Sequence, residues 1–360
     1  MAGKVYFCLV LLILFTGLCG CEKNSIPVKS APQNIILMIG DGMGLADISA
    51  AEYVSLTPLN VSRCTIEGLQ KTSSADNLIT DSGASATAMA TGVKTNNGSI
   101  GVDQSGRSTE TILEYAEKLG MSTGIVCTSA VTHATPASFY AHQLSRSSYE
   151  EIAYDLLGID IDVIIGGGLD NFSKRIDQLN LVDSLIKRKY AVLYSLDQFT
   201  SPVPAKVAVF TAAFHNPYRL GGRGEMLPVA TGKALEILKK NEKGFFLMIE
   251  GSEIDFAAHA NYADTLIDET IDFDKAAGVA LDFAANDKNT LVIITADHET
   301  GGVTIVGGNV ENHSVQLKFS TTGHTGIMVP VYAYGPGSEQ FGGIYENTDI
   351  FKKMFSFLGR

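Results

Sequence analysis

Asn34-Ile35-Ile36-Leu37-Met38-Ile39, followed at once by Gly40-Asp41-Gly42-Met43-Gly44, is the stretch that decides the fold. An unbroken apolar run of strand length leaves no polar face for water, so it reads as a strand buried on both sides. Similar runs recur at residues 122–127, 162–165, 245–249, 290–295 and 329–334. Helical patterns lie among them at 109–119, 147–157, 176–188, 228–240 and 265–285. Strands alternating with helices predict a three-layer α/β/α sandwich around a central, mostly parallel sheet. No repeat or composition break divides the chain, so residues 34–360 are expected to form one α/β domain.

The 360 residues can bury a sizeable core, and 45% apolar with 18% charged residues is the balance of a globular chain. The formal net charge of −12 lacks the basic footprint that a nucleic-acid backbone requires. Bound divalent cations would offset part of that charge.

Residues 1–20 read differently. Lys4 precedes an apolar run over 5–18, and Cys19-Gly20-Cys21 follows. A short apolar core behind a positive charge is an export signal, too short to span a bilayer comfortably. Leu18-Cys19-Gly20-Cys21 resembles a bacterial lipoprotein box, which implies cleavage before Cys21 and lipid on its sulfur. Residues 21–33, with Pro27 and Pro32, are then a tether, and the address is periplasmic or outer-membrane-associated. The other reading is an ordinary cleaved signal with incidental cysteines. Cys64 and Cys127 remain in the body, free to pair or to stay as buried thiols.

In open α/β sheets, ligands collect at the carboxyl ends of strands. Asp41 follows the first strand, residues 128–133 the second, Glu250 the 245–249 strand and Asp297-His298 the 290–295 strand. Asp255 and His259 are four apart and share one helix face, where they can chelate a metal or decorate a solvated surface. His324 stands between glycines in a loop. Carboxylates with neutral imidazoles suit zinc, whereas an all-oxygen set of Asp, Glu and Thr suits magnesium. Thr80-Asp81-Ser82-Gly83-Ala84-Ser85-Ala86-Thr87-Ala88 places a serine at a turn that can begin a helix. Two nearby metals can activate such a serine for phosphoryl transfer, and a helix N-terminus favours negative charge there.

With these segments in view the chain resembles the alkaline phosphatase family. The Asp41 turn, Asp81-Ser82-x-Ala84-Ser85-Ala86, His133-Ala134-Thr135-Pro136, residues 250–259, 295–302 and 323–326 all match in family order. The resemblance implies a metal-dependent phosphomonoesterase acting on small phosphate monoesters, with Ser82 as the nucleophile that becomes phosphoserine. It implies one zinc on Asp255, His259 and His324, and another on Asp41, Asp297, His298 and the Ser82 oxygen. Magnesium would take Asp41, Thr135 and Glu250. Arg146 aligns with the phosphate-clamping arginine, whose planar fork suits two phosphate oxygens.

Three departures stand out. His133 replaces the Asp that the best-known bacterial form carries near magnesium, which admits zinc or cobalt there. Phe256 replaces a Lys or His that contacts phosphate indirectly, which bears on product release. Only a short segment separates His298 from His324, so a crown-like insertion is reduced and homodimerisation, which it supports in larger relatives, is in doubt. His142, His215 and His313 match no ligand position and are expected to serve packing, capping or solvent. The competing functions are a phosphodiesterase of the same superfamily and a non-catalytic phosphate- or metal-binding lipoprotein. Ser82 together with Arg146 favours the monoesterase.

Overall fold

The computed structural model describes residues 31–199 and 204–359, together with Met1 and Gly3. Apart from Met1, Gly3 and residues 31–33, the expected signal and tether segments, with Cys8, Cys19 and Cys21, lie outside the described residues. Along the chain run β1 (Asn34–Gly40), α1 (Leu45–Val54), β2 (Ile66–Lys71), α2 (Ser82–Thr91), α3 (Ile112–Lys118), β3 (Ser122–Ala130), α4 (Ala134–Ala137), α5 (Tyr149–Asp155) and β4 (Val163–Gly167). Then come α6 (Leu169–Ser173), α7 (Leu181–Lys187), β5 (Ala191–Leu193), β6 (Val207–Phe210), α8 (Met226–Leu238), β7 (Phe245–Gly251), α9 (Glu253–His259) and α10 (Ala263–Asp287). The last stretch holds β8 (Thr290–Thr295), β9 (Glu299–Thr300), β10 (Val303–Asn309), β11 (Ser314–Phe319), β12 (His324–Thr325), β13 (Val329–Tyr334), β14 (Gly343–Glu346) and α11 (Asn347–Phe355).

Ten strands form one sheet in the order β14-β2-β13-β8-β1-β7-β3-β4-β6-β5, in which β13 alone runs against both neighbours. The apolar run at 34–39 is buried throughout because β1 lies between β7 and β8, with side chains entering both faces. Ile35, Leu37 and Ile39 join the core under α2, α3, α7 and α11. Ile36 and Met38 join the core under α8, α9 and α10. The expected three-layer sandwich is therefore present.

The register fixes where the chemistry emerges. Ile39 aligns with Glu250 of β7 and with Thr295 of β8, and Cys127 of β3 also aligns with Glu250. Asp41, Glu250 and Asp297 consequently leave parallel strands at one edge. The strands β9 and β12 are only two residues each, yet their pairing sets His324 opposite Thr300. That small ladder brings a distant loop histidine to the edge.

Helix α2 is buried along its whole length, which its small side chains permit. The Asp81 carboxylate accepts the Ala84 N–H at its start, and Gly92 ends it with φ +73°. A side chain at Gly92 would strike the Phe351 ring of α11 at 2.6 Å.

One helix differs from the sequence reading, and one point that the sequence left open is settled. The pattern at 176–188 yields only α7: Gln178 takes φ +62°, and the helix begins after Asn180, which caps the Asp183 N–H. The Cys64–Cys127 pairing that the sequence left open is absent. Both thiols are free and buried, in cores on opposite faces of the sheet. Between His298 and His324 lies the short hairpin β10–β11, and His313 sits exposed in its turn. No helix among the described residues is long and apolar enough to cross a membrane.

Candidate active site

At the carboxyl edge of the sheet, three groups of side chains bring their donor atoms within 4.8 Å of one another: Asp255 with His259 and His324, Asp41 with Asp297 and His298, and Asp41 with Glu250 and His133. Asp41 belongs to two of them.

In the first group, His259 Nδ1 donates to the Thr322 carbonyl at 2.5 Å and His324 Nδ1 to the Thr80 carbonyl at 2.8 Å. Each ring therefore turns an Nε2 lone pair inward, and the two Nε2 atoms face each other at 3.2 Å. Asp255 adds carboxylate oxygens at 3.3 Å from His259 and 3.7 Å from His324. Lone pairs and a carboxylate at such distances require a cation or a proton between them. The Asp255 hydrogen bond raises His259 to about 9, so a proton and a metal ion compete for the same nitrogen.

In the second group, His298 Nε2 lies 3.2 Å from Ser82 Oγ, 3.3 Å from Asp297 and 3.4 Å from Asp41. Four donors thus converge on one point, and Ser82 is the first residue of α2. Thr300 Oγ1 donates to Asp255 at 2.6 Å and lies 3.1 Å from His298 Nδ1. Its single proton goes to the carboxylate, so His298 Nδ1 must donate to it and Nε2 is left as a lone pair. Gly42, with φ +71°, lets the turn after β1 pass this close, since a Cβ there would sit 2.8 Å from Thr300 Oγ1.

The third group holds Asp41, Glu250 and His133. Thr135 Oγ1 stands 3.4 Å from the second Asp41 oxygen, beside the group, while His133, expected only next to it, offers a donor atom of its own.

These carboxylates are almost fully buried and poorly served by hydrogen bonds. Asp41 Oδ1, Asp297 Oδ2, Glu250 Oε1 and His133 Nδ1 have no partner. Buried polar atoms are normally satisfied, so orphaned ligand atoms grouped in this way fit divalent cations. Burial first, then neighbouring acids, pushes Asp41 well up, Glu250 to about 7 and Asp297 to about 6. Asp255 differs: against its burial, the His259 hydrogen bond and the surrounding imidazoles hold it below the usual carboxylate range.

Arg146 joins the start of α2 to the third group. Its guanidinium donates to Asp81 at 2.8 Å and to His133 Nε2 at 3.2 Å, and Asp81 caps the helix that Ser82 begins. Burial, followed by the charge of Arg146, holds His133 well below the usual imidazole range, which suits an acceptor. The sequence offered no reason to link His133 with Arg146.

His215, expected to serve packing, capping or solvent, lies beside His133. Its Nδ1 accepts the Ala130 N–H at 3.1 Å and its ring lies 5.3 Å from that of His133. Phe256 packs 5.5 Å from the same ring. His142 stays outside, bonded to Gly101 and Glu114.

A family model described as alkaline phosphatase matches residues 32–318 and 307–360. Alkaline phosphatase 3 of Bacillus subtilis strain 168 is 33% identical, over 93% of this chain and 93% of its own length. The alkaline phosphatase of Escherichia coli strain K12 is also 33% identical, over 94% of this chain and 88% of its own. Among solved structures, the alkaline phosphatase of the Antarctic bacterium TAB5 matches at 43% identity with a TM-score of 0.86, covering 91% of this chain and 98% of that one. A variant of the TAB5 enzyme with a histidine changed to aspartate, solved with Mg bound in its M3 site, matches at 42% identity.

Proposed function

We propose a division of labour among the residues of this chain, which belongs to the alkaline phosphatase family and is a metal-dependent phosphomonoesterase. Ser82 is the nucleophile. Asp255, His259 and His324 hold one zinc, and Asp41, Asp297 and His298 hold a second beside the Ser82 oxygen. Asp41, Glu250 and Thr135, with His133 at hand, hold magnesium, and the imidazole admits zinc or cobalt in its place. When bound, these ions supply Lewis acidity and concentrated positive charge.

The protein's own groups do the remaining work. The Arg146 fork takes two phosphate oxygens, held in aim by Asp81 and His133. Ser82 Oγ attacks phosphorus in line, and the bond to the alcohol oxygen breaks as the new ester forms. The Ser82 hydroxyl proton passes to water and the departing alkoxide takes a proton from water, so no net proton is consumed in the transfer. A water molecule then attacks the phosphoserine, returning the Ser82 hydroxyl and releasing inorganic phosphate. The α2 N-terminus favours the negative charge gathered there throughout. Lipid on Cys21 ties this exported domain to a membrane, in the periplasm or at the outer membrane.

The observation that carries the reading is Ser82 Oγ at 3.2 Å from a histidine whose other nitrogen is already engaged. Ser82→Ala is expected to lower kcat by at least about a thousandfold while the purified protein keeps its metal content. Retained turnover, or phosphate trapped on another residue, would overturn the assignment. Loss of metal and fold together would make Ser82 structural.

A further inference from the structure

We propose that Tyr149, Phe214, His215 and Phe256, abutting His133, form a leaving-group subsite that favours monoesters of uncharged aromatic alcohols. The inference rests on Ser82 and Arg146 binding the phosphoryl group. Five rings touch in sequence from the buried third group to the surface. His133 meets Phe256 and His215 at 5.5 and 5.3 Å, with interplanar angles of 84° and 89°. His215 meets Phe256 at 5.1 Å and Phe214 at 4.2 Å, and Phe214 meets Tyr149 at 5.2 Å. Edge-to-face contacts of this kind are attractive and leave ring faces open to a further ring.

The inner end of this line adjoins the reaction. His133 accepts from Arg146, Phe256 follows Asp255, and Tyr149 lies three residues beyond Arg146 at the start of α5. The outer end is open: Phe214 is 38% exposed, whereas His133 is only 6% exposed. A substituent on a phosphate held by Arg146 can therefore reach the rings without entering the core.

The line is also rigid before any substrate arrives. Gly168 and Leu169 donate to the Ala212 carbonyl, Asp170 donates to that of Ala213, and the buried Asn216 side chain donates to the Thr128 carbonyl at 2.8 Å. Fixed rings bind with little loss of side-chain freedom. The four surface-side rings include no lysine, arginine or carboxylate, and His215 accepts a backbone N–H as a neutral ring. They offer dispersion and quadrupole contacts, which a planar neutral group gains and an anionic chain does not.

Benzyl phosphate and n-butyl phosphate both release alkoxides, so their kcat/KM ratio isolates recognition of the ring from leaving-group chemistry. The wild-type protein is expected to prefer benzyl phosphate. Phe214→Ala should lower that preference by about 2- to 12-fold, the worth of one aromatic pair, and Phe214→Tyr should restore it. Inhibition by inorganic phosphate, which carries no substituent, should move much less than the ratio. An unchanged ratio, or both substrates falling together with metal content, would overturn the subsite and leave the Ser82 assignment standing. Absence of turnover of either ester by the wild-type protein would overturn the Ser82 assignment and the subsite with it.

Discussion

Thr300→Val tests whether one hydroxyl governs two metal groups at once. Valine preserves the shape of threonine and β9 keeps its backbone pairing, so the change falls on two contacts. The first is the 2.6 Å bond from Thr300 Oγ1 to Asp255, a hydrogen bond to a charged acceptor worth about 1.5–3 kcal/mol. The second is the 3.1 Å contact with His298 Nδ1, whose buried N–H would be orphaned at a cost of about 1–3 kcal/mol. Shared between a ligand of the first group and a ligand of the second, these losses come to roughly 1–3 kcal/mol each. That is the energy of a 10- to 100-fold weakening, as expected when a metal ligand loses its supporting partner. Stripped protein titrated with zinc against a chromophoric chelator should therefore show both of its tightest zinc steps weakened to that extent, with Thr300→Ser restoring most of the loss. If only one step weakens, Thr300 serves a single ligand and the bridging argument fails. If neither weakens, the tautomer of His298 is set by something else.

Two further outcomes are expected. Although burial opposes it, the Glu114 hydrogen bond raises His142 above its ordinary value, so its stabilisation is complete below about pH 6.5 and is lost as pH rises through the raised value. The stability difference between wild type and His142→Gln should thus be larger at pH 5.5 than at pH 9, by on the order of 1 kcal/mol for this part-buried pair, and equal denaturant midpoint shifts at the two pH values would refute this. For the proposed anchor, Cys21→Ser should move the protein from the membrane fraction to the soluble exported fraction, and continued sedimentation with membranes would remove lipid on Cys21 from the proposal.

The sequence revealed what burial enforces and little of what loops assemble. The strands β1, β7 and β8 were legible because both of their faces are covered, which leaves continuous apolar runs. The strand β2 escaped notice because Glu67 and Lys71 interrupt it and its side chains are only partly covered. The strand β5 is three residues long and β14 is four, too short to carry a period. The candidate ligands were legible as residues at strand ends, a place where sheets of this kind leave polar groups. Their second partners were not. Nothing in the spacing of His215 or Asp81 shows that they touch His133 and Arg146, since each contact joins segments whose distance in space is set by the sheet, and a two-residue separation does not by itself show that Thr300 bonds His298. Likewise, the two-residue ladder that carries His324 to the edge is below what any pattern can signal.

Those unseen contacts change how the departures at His133 and Phe256 should be understood. Asp41 is common to the second and third groups, and Thr300 joins the second to the first. Asp81 caps the helix that Ser82 begins and accepts from Arg146, while His133 ties that guanidinium to the third group. The three groups are therefore linked, through Asp41 and Thr300, rather than independent. A histidine at position 133 therefore does more than alter the donor set of a single cation: it offers a ligand atom and also receives the Arg146 guanidinium, so whatever occupies the third group is coupled to the aim of that guanidinium, the proposed phosphate clamp. Phe256 packs edge-to-face on the same ring at 5.5 Å and so limits how far that imidazole can swing. The two substitutions read as separate oddities along the chain, but in space they form one packed unit, and the properties of the third group belong to the pair.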